Sequence, residues 1–158
     1  MSLLFWNEII IMNNYQFSFE KLEVWQNARA LAKEVYTTTQ AFPTDEKFAL
    51  VQQIRKSALS ICANLAEGTT RITHKDQAHF TIISFSSKME LLNHMIIAFD
   101  LAYFNEERLN YLRSLIQPLS VKLSNLKKAQ LSRLRGFKSF LLILFSYPIY
   151  QPLQPLTQ

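Results

Sequence analysis

Few residues in this chain have the types and spacing that do chemistry. Glu90 and His94 stand four apart, whereas a di-iron bundle needs a Glu followed by a His three residues on, twice over. His74 and His79 are five apart beside Asp76, next to a predicted turn, where a histidine pair is an ordinary surface feature. Cys62 lies among Ile61 and Ala63, and a thiol in such company behaves as a small inert hydrophobe. Only two glycines occur, Gly68 and Gly136, too few for a phosphate-cradling loop. No catalytic residue, metal ligand or cofactor is expected, and the chain reads as a non-enzyme.

Two other sets of residues carry more information. Gln53, Ser57, Ser60, Asn64 and Glu67 fall 4, 3, 4 and 3 residues apart, beside a parallel stripe of Ile54, Ala58, Ile61, Leu65 and Gly68. Helical spacing puts each set on one face. A helix with adjacent apolar and small-polar seams has two burial tasks. The apolar seam closes a core, and the polar one is expected to hydrogen-bond a neighbouring helix or cross a subunit boundary. Buried polar groups must be paired, so such a seam sets register more than it adds stability.

The second set is cationic. The net charge is +5, but residues 1–107 hold nine Lys/Arg against twelve Asp/Glu, while residues 108–158 hold eight Lys/Arg and no acid. Arg108, Arg113, Lys122, Lys127, Lys128, Arg133, Arg135 and Lys138 make the last third a basic arm. It reads either as a solvated face that suits a helix C-terminus, or as an electrostatic footprint for nucleic acid or another polyanion. No aromatic-rich basic run of the single-strand-binding kind is visible.

These residues need elements to position them. At 158 residues the chain suits one domain with a real core, and the scarcity of glycine argues against tight hairpins and an all-β fold. Four amphipathic helices are predicted. The first runs from about Phe19 to Thr39, with Leu22, Trp25, Ala28, Leu31, Ala32, Val35 and Tyr36 inward, and stops before Pro43. Thr44 or Asp45 should cap the second, which should end near Ala66 with Gly68 as a left-handed cap. Thr73 should cap a third from His74 to about Tyr103, burying Phe80, Ile83, Leu91, Ala98 and Ala102. Asn105-Glu106-Glu107 opens the fourth, whose Leu109, Leu112, Ile116, Leu119, Leu123 and Leu126 alternate 3 and 4, with a kink expected at Pro118. Short connections between long helices predict an all-α, antiparallel up-down four-helix bundle.

The bundle is placed at residues 17–135. Residues 1–16 are expected to be an N-terminal extension, either poorly ordered or added by a misassigned upstream start, and without signal-peptide character because Glu8 interrupts the apolar start. Residues 136–158 are expected to be an apolar tail outside the bundle, too short in its apolar run to span a membrane. The lone Cys62 cannot form an internal disulfide, which fits a reducing cytoplasm.

FEKLEVW at residues 19–25, Ala41-Phe42-Pro43 with Glu46 soon after, QIRKSA at 53–58 and SICANLAEG at 60–68 follow in that order. Together they resemble the four-helix-bundle family encoded in intervening sequences of bacterial 23S ribosomal RNA genes, which includes the accessory variability protein of diversity-generating retroelements. The likeness covers about residues 17–130. Ser87 and Glu90 match that family's Ser-x-x-Glu, while Ser86 stands where a glycine is frequent and Lys88-Met89 departs from the usual neighbours. The resemblance implies a homopentamer without enzymatic activity. In the retroelement branch it also implies a basic surface for nucleic acid and a reverse transcriptase as partner. The branch to which this chain belongs stays open.

Two functional classes follow. One is an accessory protein binding RNA or DNA through Arg55, Lys56, Arg71, Lys75 and the basic arm, here Lys122, Lys127, Lys128, Arg133 and Arg135. The other is an oligomeric scaffold for a protein partner, with the charge incidental. In both, Gln53, Ser57, Ser60, Asn64, Glu67, Ser87 and Glu90 form the structural polar seam.

Overall fold

The structure is a computed structural model that describes residues 15–146, with side chains through residue 133. Its helices are α1 (Glu23–Thr39), α2 (Leu50–Thr69), α3 (His74–Asp100) and α4 (Glu106–Ser146). Short 3-10 turns at Ser18–Lys21 and Thr44–Phe48 precede α1 and α2, and there is no strand among the described residues. α2 packs along α3, α3 along α4, and α1 touches both α2 and α4, so the four helices form a bundle around one core.

That core is built from the expected seams. Ala28, Leu31 and Val35 of α1 meet Ile54, Ala58, Ile61 and Leu65 of α2, Leu91, Met95 and Ala98 of α3, and Leu109, Leu112, Ile116, Leu119 and Leu123 of α4. Each fully buried Leu or Ile contributes roughly 1.5–3 kcal/mol relative to exposure, so the seams carry the fold. Phe80 and Ile83 are half-buried rather than core, and Tyr36 is exposed. No helix among the described residues is long and apolar enough to cross a membrane.

Several ends differ from the sequence-based expectation. α2 begins at Leu50 rather than after Thr44, and neither Thr44 nor Asp45 caps it. The Glu46 carboxylate does so instead: it accepts from the Leu50 N–H at 3.1 Å and from the Tyr103 hydroxyl at 2.8 Å. Phe42, buried against Tyr103 and Phe104, holds the Pro43 corner that makes this possible.

Gly68 is not a left-handed cap. It stays helical and buried, and a Cβ there would lie 3.1 Å from Cβ of Phe80. Its role is close approach of α2 to α3, while Thr69 and Thr70 finish the helix by donating to the carbonyls of Ala66 and Glu67.

Thr73 caps α3 as expected, accepting from the Asp76 N–H at 3.1 Å. At the other end α3 stops at Asp100, and Ala102 is exposed rather than core. Ala102 takes φ 59°, the left-handed position that closes the turn, and the Tyr103 N–H returns to the Ala98 carbonyl at 3.1 Å. α4 runs on through Pro118, which faces solvent, and its backbone stays helical to Ser146. The expectations for residues 1–14 and 147–158 lie outside the described residues.

Candidate nucleic-acid interface

The polar seam divides into a joined centre and free ends. Ser60 Oγ lies 2.8 Å from Ser87 Oγ, and Asn64 Nδ2 donates to the Ser60 carbonyl at 2.7 Å and to its hydroxyl at 3.0 Å. Ser57 is buried and donates to the Ile54 carbonyl of its own helix. Ser84, not singled out by the sequence, adds a second tie by donating to the Ile61 carbonyl at 3.2 Å. Gln53 and Glu90 are exposed, and Glu67 turns away to pair with Arg71. The centre thus holds α2 to α3 within one protomer, leaving little of the seam for chemistry.

Among the described residues, the cations of the basic arm do not form one surface. Arg108 reaches across to α1, donating to the Glu34 carboxylate at 2.8 Å and to Thr38. Lys122 does the same at Glu23 and Asn27, at 2.5 and 3.0 Å. Lys127 lines a hollow of about 100 Å³ between α3 and α4. Lys128 and Arg133 are exposed, and the Arg135 side chain lies outside the described ones. Arg71 is paired with Glu67 and sits over the Phe80 ring, while Lys75 is exposed at the start of α3.

A different face gathers charge. Trp25, Arg29, Lys33 and Tyr36 follow one another 4, 4 and 3 residues apart along α1. With Leu59 and Cys62 of α2 they line a hollow of about 520 Å³. A second hollow of about 460 Å³ shares Tyr36 and Leu59 with it and adds Lys47, Phe48, Arg55 and Lys56. Five cations and three aromatic rings therefore border one groove, and no carboxylate lines it among the described residues. Arg55 is held by Thr39 at 2.8 Å and lies 4.7 Å from the Tyr36 ring centre. Cys62, at the floor, has its pKa pushed up to about 11 by burial, against the smaller opposing effects of its backbone hydrogen bond and Arg29. It is not a nucleophile at neutral pH.

Of the sequence's candidates, only Arg55 and Lys56 enter this groove. Trp25, Arg29, Lys33, Lys47, Tyr36 and Phe48 were missed, although the α1 spacing alone places four of them on one face.

Lys88 was missed as well. Its side chain is 2% exposed, with Nζ 2.6 Å from Ser120 Oγ and 3.7 Å from the Phe85 ring centre. Burial pushes its pKa below the ordinary lysine value. Tyr103 is shifted upward, first by its hydrogen bond to Glu46 and then by burial. No cluster of His, Cys, Asp or Glu suited to a metal ion occurs among the described residues.

A family model described as 23S rRNA-intervening sequence protein matches residues 20–125. Among solved structures, a protein with unknown function from the S23 ribosomal protein family of Bacteroides thetaiotaomicron has a similar fold. Its TM-score is 0.62 at 18% identity, covering 66% of this chain and 95% of that one. At that identity the likeness concerns the fold alone. No curated protein matches the chain.

Proposed function

This chain belongs to the 23S rRNA-intervening sequence protein family, and from that premise we propose a non-enzymatic, self-assembling bundle that binds nucleic acid as an accessory factor. The observation that carries this reading is the α1–α2 groove, where Arg29, Lys33, Lys47, Arg55 and Lys56 converge without an opposing carboxylate. Phosphate contacts made by such cations release condensed counterions and need no base sequence. RNA and DNA are both ligands of this reading, in the cytoplasm, and a reverse transcriptase is the protein partner if the chain belongs to the retroelement branch.

The finer architecture belongs to the same proposal. The links at residues 70–73 and 101–105 are far shorter than the helices they join, which favours an antiparallel up-down order. α3 leaves Ile82, Met89 and Ile97 exposed along one outward face. A helix apolar on its outer side as well favours burial against another chain, and a homopentamer is the assembly we infer. The same face is what favours the second reading, a scaffold for a protein partner.

The test is a titration of RNA and DNA at several salt concentrations, with light scattering on the same samples. Changing Lys33, Lys47 and Lys56 to Gln should weaken binding and flatten the log–log salt slope by about 0.7–0.9 per lost contact. A mass near five protomers is expected. Affinity unmoved by salt and by the Gln changes would leave the scaffold reading, and a monomer would remove the pentamer.

A further inference from the structure

Three rings in the α1–α2 groove each carry a cation of their own. Arg29 stands 5.7 Å from the Trp25 ring centre, Arg55 4.7 Å from Tyr36, and Lys47 5.5 Å from Phe48. The rings mark the two ends and the middle of the groove, since the two hollows meet at Tyr36 and Leu59. From Trp25 to Tyr36 the distance along α1 is roughly 16 Å, the length of a few nucleotides. Phe48 is 80% exposed on its 3-10 turn, a large apolar surface that contributes nothing to the core.

We propose that this groove takes unstacked bases of a single strand, with Trp25, Tyr36 and Phe48 as stacking faces and Arg29, Lys33, Lys47 and Lys56 as phosphate partners. The proposal rests on the nucleic-acid reading above and adds to it a preference for single strands. A base can lie on Trp25 or Phe48 while the ring's cation, Arg29 or Lys47, swings to the adjoining phosphate, so one ligand satisfies both members of these two pairs. A duplex offers its phosphates to the rim but keeps its bases stacked inside, out of reach of the groove floor. Stacking is tolerant of sequence because every base has a π-face. Arg55, anchored by Thr39, stays against Tyr36, whose partly exposed ring borders both hollows.

The experiment compares four probes, each at several salt concentrations: a thymidine oligonucleotide, an abasic oligonucleotide of equal length, the matching duplex, and heparin. The chain has two tryptophans, Trp6 and Trp25, so a Trp6→Phe background makes fluorescence report on Trp25. The single strand should bind at least about fivefold more tightly than the abasic strand, as expected for one lost stack, and should quench Trp25. Phe48→Ala, which leaves the core untouched, and Tyr36→Leu, which keeps an apolar filling, should each reduce that preference by at least about fivefold without changing the salt slope. Equal affinity for thymidine and abasic strands, or aromatic variants that behave as wild type, would overturn the stacking proposal while leaving charge-driven binding in place. Failure of every probe to bind at low salt would instead remove the nucleic-acid reading, and this proposal with it.

Discussion

Replacing Lys88 with Met should stabilise the protein, although it removes a hydrogen bond and a cation–ring contact. Lys88 is 2% exposed, its ammonium meets Ser120 Oγ at 2.6 Å and the Phe85 ring at 3.7 Å, and no carboxylate pairs with it among the described residues. Burying an ammonium costs several kcal/mol even after relaxation. Against this stand about 1.5–3 kcal/mol for a charged hydrogen bond and about 2 kcal/mol for a desolvated cation–π contact. Methionine has nearly the same reach, carries no charge, and suits the edge of an aromatic ring. Ser120 keeps a partner, since its hydroxyl donates to the Ile116 carbonyl at 2.9 Å.

The expected gain is about 1–2 kcal/mol at pH 7, within the range seen when buried ions give way to apolar groups. The pH dependence has a definite sign. Burial lowers the folded-state pKa of Lys88 below its ordinary 10.5, so between the two values the unfolded chain holds more protons than the folded one. Wild-type stability should therefore rise with pH across that window, and the advantage of Lys88→Met should shrink as 10.5 is approached. Urea unfolding followed by circular dichroism, at one protomer concentration and several pH values, measures both effects. A loss of 1 kcal/mol or more in the variant (roughly, on the scale of one hydrogen bond), or a gap that does not narrow with pH, would show that Lys88 has a charged partner and refute the reasoning.

Gly68→Ala should destabilise by about 1 kcal/mol: the helix-propensity gain of about 1 kcal/mol is smaller than the strain of a Cβ placed 3.1 Å from Phe80. A rise in melting temperature would mean that α2 and α3 can part at no cost. Asn64→Leu should lower protomer stability by less than about 1 kcal/mol, because the amide donates within its own helix and Ser60 keeps Ser87 as a partner. Light scattering on the same variant then tests the seam's reach: an unchanged mass confines Asn64 to its own protomer.

The helices were legible because their seams are long and periodic. Leu109 to Leu123 and Ile54 to Leu65 need no partner to be recognised as core. Helix ends were legible only where the signal is local. Thr73 and Asp76 are three residues apart and cap α3 as expected, but the true cap of α2 depends on Glu46 meeting Tyr103, 57 residues away. Gly68 was read as punctuation, since nothing in one sequence reveals that Phe80 presses on it. Lys88 shares the spacing of the buried Ser84, Leu91, Met95 and Ala98, yet its charge argued for the surface. One wall of the groove was readable on α1. The other, with Lys47, Phe48, Arg55 and Lys56, comes beside it only when α1 packs on α2.

Charge excess and binding surface are different quantities, and pairing within the fold separates them. The acid-free last third looked like the footprint, but Arg108 and Lys122 are drawn to Glu34 and Glu23 on α1. Such pairs contribute little stability each; their effect is to set how α4 lies along α1, the first helix meeting the last. Lys128 and Arg133 remain exposed, strung along a single helix. α1 consequently has two polar sides: Glu23 and Glu34 are used by α4, while Arg29 and Lys33 border the groove with α2. The acids that balance the front half of the chain are thus partly consumed inside the bundle. What they leave uncompensated is the α1–α2 face, in a segment whose net charge is negative when summed along the sequence.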